Sequence, residues 1–382
     1  MNGFMKGFVA SIIVVAAGTL APTLEAQAQS STYPGIRYIN PYSQSMGGVT
    51  LPLSQDIGNS LFNNPAGLAR NTKFKAEFLN LDLDIGSATL GGISQSMTTL
   101  GGLSGTLNSN PNTTYSEGIS NLTALSWGGL GVGILYQDRV RAYSDGAASP
   151  TAHYSTLNNL VPAAGYGLSL ARGVLRVGYS LQYVNEASGV ASSVSDTSAS
   201  FLNGVKQGHG FSHTTSVNLA LPITYLPTFS LIGRNIGGLH FSGGNLMSPA
   251  KNASGLPTDQ PTSIDAAFNF TVRLSGSLKS YWFFEYDDVS NTASLPIFEK
   301  MRLGLEILAT SAFSVRAGFN GAQVSGGIGF RSESSEINVT YYNDRNPFSN
   351  TGYWDTRYAL QYKVFFQGTN HRDRNAEEVK GK

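Results

Sequence analysis

The sequence predicts an all-β protein, a 14-stranded antiparallel transmembrane β-barrel, and three observations point to it. Apolar and polar residues alternate with a period of two through fourteen separate segments, as in strands that show one face to an apolar medium and the other to a polar one. Only 13% of the 382 residues are charged, against roughly 25% in an ordinary soluble domain. The single long apolar run stands at the N-terminus, where it reads as an export signal.

That run, Phe8 to Ala21, follows Lys6 and precedes Ala26-Gln27-Ala28, the small-x-small pattern of signal-peptidase cleavage. Residues 1–28 are therefore expected to be removed. The run falls short of the about 20 residues that a membrane-spanning helix needs. No comparable run recurs, so any crossing falls to strands. In hydrocarbon every backbone N–H and C=O needs an internal partner, and strands meet that demand only as a closed barrel.

The segments are read in order as strands near 73–85, 120–127, 130–142, 158–171, 174–187, 209–221 and 227–236, then 262–274, 277–288, 299–308, 311–319, 322–331, 335–343 and 353–366. In TSIDAAFNFTVRL, Ile264, Ala266, Phe268, Phe270, Val272 and Leu274 form one unbroken apolar face. In SVRAGFN, Val315, Ala317 and Phe319 oppose Ser314, Arg316 and Gly318. Arg172-Gly173, Ser275-Gly276-Ser277 and Asn320-Gly321 supply turn chemistry, since glycine and asparagine tolerate positive φ. The gaps 86–119, 143–157, 188–208 and 237–261, rich in Gly, Ser, Asn and Pro, are the expected outer loops, with tight turns facing the periplasm. Tyr281-Trp282, Tyr341-Tyr342 and Tyr353-Trp354 are read as aromatic girdle positions at the lipid boundary.

The last strand states the sidedness most sharply. Tyr358, Leu360, Tyr362, Val364 and Phe366 share one face and Ala359, Gln361, Lys363 and Phe365 the other. Lipid is the expected medium on the first side and a watery or polar lumen on the second. The barrel is thus assigned to 71–366, and the polar tail 367–382 to a disordered periplasmic extension.

Composition removes several functions. A net charge of +1 without clustered Lys and Arg offers nothing for nucleic acid. The absence of cysteine removes disulfides, thiolate catalysis and cysteine metal sites. His209 and His213 lie more than about 13 Å apart along a strand, too far to share a metal, and no phosphate-binding loop stands between a strand and a helix. No enzymatic activity and no cofactor are expected. Arg139, Arg141 and Arg316 are candidate lumen cations, of a kind that barrel interiors use in any case.

The stretch YSQSMGGVTLPLSQDIGNSLFNNPAGLAR precedes the first strand and lacks its alternation. With Gly47-Gly48, then Asp56, then Asn64-Pro65-Ala66-Gly67-Leu68, it resembles the N-terminal segment of the FadL/TodX family of outer-membrane channels for hydrophobic compounds and of the related PorV-like barrels. Weaker similarity runs through Arg234 to Gly238 and Met301 to Phe330. Phe366, closing a strand with Tyr358 and Tyr362 on the same face, resembles the C-terminal signal read by the barrel-assembly machinery, although here a tail follows it.

The resemblance implies that residues 29–70 fold inward as a hatch and that the barrel conducts hydrophobic compounds such as long-chain fatty acids passively. Ligand-contacting loop residues would then come from Leu90, Ile93, Met97, Leu100 and Leu103. The PorV-like branch implies an alternative, a partner of protein secretion or surface attachment. The expected partners are a hydrophobic small molecule or lipid, outer-membrane lipid, and the assembly machinery during biogenesis. The NPAGL motif is expected to act structurally, with Asn64-Pro65 biasing a turn and Gly67 open to unusual backbone angles.

Overall fold

A computed structural model describes residues 37–53, 56–91, 113–144, 152–192, 205–244, 246, 253–275, 278–290, 292, 297–321, 323–345 and 354–367. The signal segment, residues 368–382 of the tail and Ile93, Met97, Leu100 and Leu103 lie outside the described residues, while Gln367, assigned to the tail, is the last residue of a strand.

Fourteen strands form one closed barrel. They are β1 (Lys75–Gly86), β2 (Thr114–Trp127), β3 (Leu130–Ser144), β4 (Ala152–Leu170), β5 (Leu175–Ser192), β6 (Lys206–Ala220) and β7 (Thr228–Arg234), followed by β8 (Ser263–Ser275), β9 (Leu278–Tyr286), β10 (Met301–Leu308), β11 (Phe313–Asn320), β12 (Gln323–Arg331), β13 (Ser335–Arg345) and β14 (Trp354–Gln367). Each pairs antiparallel with its chain neighbours, and β1 closes on β14 from Lys75 opposite Gln367 to Gly86 opposite Arg357. Closure removes the two edges that an open sheet would expose to hydrocarbon.

Sidedness is the reverse of a soluble sandwich. On β14, Leu360 is 43% exposed and its neighbours in alternation Tyr358, Tyr362 and Phe366 are exposed with it, whereas Lys363 is only 7% exposed and Gln361 1%. The same inversion holds on β8, where Ile264 is exposed and Asp265 wholly buried. Apolar side chains outside and polar ones inside define an outer-membrane type barrel. The lumen is packed rather than watery around these residues: Gln361 donates to Asn80 at 2.7 Å and accepts from Asn338 at 2.7 Å.

Three expectations need correction. β2, β4 and β5 run several residues further into the gaps than the alternation suggests, starting at Thr114 and Ala152 and ending at Ser192. These ends carry residues such as Ser116, Glu117 and Thr156, so no apolar face marks them, yet the ladder continues through Ser116 opposite Arg141 and Thr156 opposite Gly189. The turn between Asn320 and Gln323 lies at the end of the barrel opposite the other tight turns, because β11 runs away from the end shared by Lys75 and Gln367. Lastly, consecutive strand residues point to opposite sides, so a Tyr-Tyr or Tyr-Trp pair cannot place both rings in a girdle. Tyr281 and Tyr342 are buried in the lumen, while Tyr341 faces out.

Candidate functional site: the lumen and the segment within it

Residues 37–53 and 56–70 run inside the barrel, and nearly all of them are buried. Local chemistry shapes the turns of this segment, and Asn63 ties its two halves by accepting from the Tyr38 amide at 3.1 Å and donating to the Tyr38 carbonyl at 2.7 Å. Asn40 caps the short helix Pro41–Gln44, its side chain accepting from the Ser43 amide at 2.9 Å while Ser43 Oγ accepts from the Asn40 amide at 3.1 Å. Asp56 caps the helix Ile57–Phe62 by accepting from the Asn59 amide at 2.6 Å. Pro65–Arg70 is a 3-10 turn, started by a proline whose missing N–H costs nothing at that position.

Two patches of inward-facing glycine receive the segment. On β10, β11 and β12, Gly304, Gly318 and Gly327 lie under Ser45–Gly47; a Cβ on Gly304 would stand 2.9 Å from Met46 Cβ and one on Gly327 2.7 Å from Ser45 Cβ, while one on Gly318 would collide with the Gly47 amide nitrogen. On β3, β4 and β5, Gly131, Gly165, Gly167 and Gly178 lie under Pro65–Ala69; a Cβ on Gly131 would stand 2.7 Å from Leu68 Cδ2, and one on Gly178 would collide with the Pro65 carbonyl carbon. Strand glycines thus let one backbone approach another. Gly47 and Gly48 themselves adopt φ of +73° and +75°, angles that L side chains rarely adopt. Gly67 does not: it sits in the 3-10 turn with its amide bonded to the Asn64 carbonyl at 2.9 Å, so the expected unusual angles fall at the Gly-Gly pair instead.

Charge holds one side of the segment. Arg37 reaches Asp287 at 2.7 Å, Asp265 at 3.1 Å and Glu285 at 3.3 Å. Arg302 bonds the second oxygen of Asp287 at 2.6 Å, and Arg234 bonds Asp265 at 2.6 Å. Glu285 accepts from the amides of Thr50 and Leu51 at 2.7 and 2.9 Å. Further round, Tyr42 donates to Glu306 at 2.9 Å under the Arg316 guanidinium, which stacks 4.1 Å from its ring. Lys363 bridges Glu77 at 3.1 Å and Asp56 at 3.7 Å. All these wall partners stand on β1, on β14 or in the arc from β7 to β11 and the residues just beyond β9.

Hydrocarbon fills the other side. Tyr38, Ile57, Leu61, Phe62 and Leu68 of the segment form one buried cluster with Leu122, Leu135, Val161 and Val184 of β2 to β5. Leu239 and Phe241, from the connection between β7 and β8, join the same cluster. Polar bonds on this flank include Asn64 donating to Asn218 at 3.1 Å, the Ala66 amide to Ser216 at 2.7 Å, Gln182 to the Phe62 carbonyl at 3.2 Å and Asn80 to the Tyr38 hydroxyl at 2.7 Å.

The structure therefore places Gly47, Gly48, Asp56, Asn64, Pro65, Ala66, Gly67 and Leu68 together within the lumen. Leu90 is not brought to it, being 44% exposed on the short helix Ser87–Gly91. His209 and His213 lie on the outward face of β6, against Tyr183 and Tyr179 respectively, the latter with its hydroxyl 2.7 Å from His213 Nδ1. Arg316 does face the lumen, paired with Glu306 at 3.1 Å. The glycine patches were missed by the sequence reading. Their signal was present in the shared parity of Gly131 and Gly133, and of Gly165 and Gly167.

A closed fourteen-strand barrel with an apolar outer face and a chain segment within is the architecture of an outer-membrane barrel protein. Comparison with solved structures agrees at the level of the fold. The monoaromatic hydrocarbon channel CymD matches with a TM-score of 0.50 at 12% identity, covering 87% of this chain and 98% of that one. A deletion mutant of the monoaromatic hydrocarbon channel TodX matches with a TM-score of 0.52 at 11% identity, with the same coverage. No protein-family profile and no curated protein sequence matches the chain.

Proposed function

We propose that the protein is a passive outer-membrane channel for hydrophobic compounds and that the segment 37–70 is a hatch that closes its lumen. The observation behind this reading is the buried apolar cluster between the segment and β2 to β5, the most extensive of the apolar contacts that the segment makes with the wall. A hydrocarbon placed there would lose its contact with water at a gain of about 0.8 kcal/mol per methylene. Displacing the segment would expose such a surface without breaking the barrel wall. The fold shared with channels for monoaromatic hydrocarbons supports the same reading. Long-chain fatty acids belong to the same physical class of ligand, with one carboxylate added. The exposed face of Tyr358, Tyr362 and Phe366 suits recognition by the assembly machinery before insertion.

The test is uptake. Cells lacking the gene are compared with cells complemented by the wild type for accumulation of radiolabelled toluene, hexadecane and oleate. Faster accumulation of at least one in the complemented cells is expected; identical rates for all three would contradict the reading.

A further inference from the structure

The segment is attached to the barrel in two physically different ways, and the difference assigns a binding site. Toward β8, β9 and β14, its attachment includes buried ion pairs: Arg37 to Asp265, Glu285 and Asp287, and Asp56 to Lys363. Separating these would strand charges away from water, which is costly because nothing replaces the lost partner. Toward β2, β3 and β4 the contact is hydrocarbon on hydrocarbon, Leu61 and Leu68 against Leu122, Leu135 and Val161. The ion pairs of Arg37 and Asp56 named above all lie away from this flank.

An apolar molecule entering between two apolar surfaces covers the same area that it uncovers, so the separation is largely repaid. On the other side the apolar contact of Met46, Val49 and Leu53 with Tyr281, Phe283 and Leu308 is interleaved with the ion pairs of Arg37, so a molecule entering there must part those charges as well. A charged headgroup in the apolar seam would itself be desolvated without a partner. At Gly131 and Gly165 no wall side chain interlocks with Leu68, which packs directly on the strand backbone.

We infer that the seam between the segment and the β2–β5 wall is the ligand site, a cryptic pocket that opens around an uncharged hydrocarbon while the ionic side stays attached. This rests on the channel reading and narrows it, from hydrophobic compounds in general to those without an ionised head. Leu239 and Phe241 belong to the same cluster, so these two side chains move apart from the segment when the pocket fills.

The experiment uses the full-length protein in outer-membrane vesicles and two photoreactive probes, an alkyl diazirine and the same chain ending in a carboxylate. After irradiation, peptide mass spectrometry locates the label. The neutral probe is expected on Leu122, Leu135, Val161 or Val184, displaced by excess toluene, and the carboxylate probe at least about tenfold less. Label on Tyr42, Tyr281 or Phe283, or equal labelling by both probes, would overturn the inference. A second measurement separates it from its parent reading. If toluene enters wild-type cells faster than deletion cells yet the seam stays unlabelled, the channel stands and the site is wrong. If uptake is unchanged and no interior residue is labelled, both are wrong.

Discussion

The guanidinium of Arg37 and the carboxylate of Asp287 meet at 2.7 Å inside the barrel, and the second oxygen of that carboxylate is held by Arg302 at 2.6 Å. One wall carboxylate thus ties the N-terminal segment to β10. Both partners are almost wholly buried, so the pair is held without competition from water.

Removing one member should therefore cost more than the pair is worth. Asp287→Ala removes the carboxylate that Arg37 and Arg302 share and leaves Arg37 its weaker contacts with Asp265 and Glu285; losses of about 3–5 kcal/mol are typical when a buried pair is broken on one side. The expected result is release of the segment, read in a Thr50→Cys background as reaction of the introduced thiol with a water-soluble maleimide. The chain has no native cysteine, so no other thiol competes for the reagent. A thiol at that position that stays unreactive when Asp287→Ala is added would show that Asp287 does not anchor the segment.

Sterics should release the same segment by another route. Gly318→Val puts side-chain atoms where Gly47 and Met46 stand, and Gly178→Val does so at Pro65. Each variant should form a barrel, since each strand keeps its ladder and valine suits a strand. Heat-modifiable gel mobility tests that the barrel persists, and increased protease cleavage within 37–70 reports the displaced segment. Cleavage at the wild-type rate in both variants would contradict the docking described here.

Lipid exposure carries its own prediction. Leu360 points outward near the middle of β14, and Arg at the bilayer midplane costs about 2–4 kcal/mol. Leu360→Arg should lower unfolding stability in liposomes by that order, whereas Thr356→Arg, placed toward the loop end, should cost less. Equal small effects would mean that Leu360 does not face lipid.

At the loop end, His240 Nδ1 lies 2.7 Å from the Asp259 carboxylate, which also accepts from the Phe241 amide at 3.0 Å. That carboxylate raises the His240 pKa above its ordinary value, chiefly through the hydrogen bond, and its own pKa is lowered in return. Because the histidine value is raised on pairing, the stabilisation is full below the ordinary histidine pKa and fades as pH rises through the raised value. Because the aspartate value is depressed, the contribution is also lost at acid pH, as Asp259 protonates. Asp259→Asn should bring the His240 titration, followed by NMR of the ring protons, back toward the ordinary value. No movement would exclude the pairing.

Much of the wall was legible because lipid imposes a rule visible in the sequence. Ile264, Phe268 and Leu274 had to alternate with Asp265 and Arg273, and all fourteen strands follow from that period. The strand ends at Thr114 and Ser192 were not legible, since beyond the bilayer the ladder alone sustains a strand and leaves no apolar trace. The lumen was half legible. Gly47-Gly48 and Asn64-Pro65-Ala66-Gly67-Leu68 stood out locally, but their partners Gly178 and Gly318 lie more than a hundred residues away and reveal themselves only through register. The pairing of Lys363 with Glu77 was hidden for the same reason: β1 and β14 become neighbours only when the barrel closes.

The claim on which the rest depends is that the segment 37–70 closes a lumen that would otherwise be open. Planar-bilayer conductance measures this most directly, comparing the wild type with a chain lacking residues 37–70 whose barrel is verified by heat-modifiable mobility. The account predicts no steady conductance for the wild type and a steady open pore for the deletion. A wild-type pore of the same conductance as the deletion would contradict it.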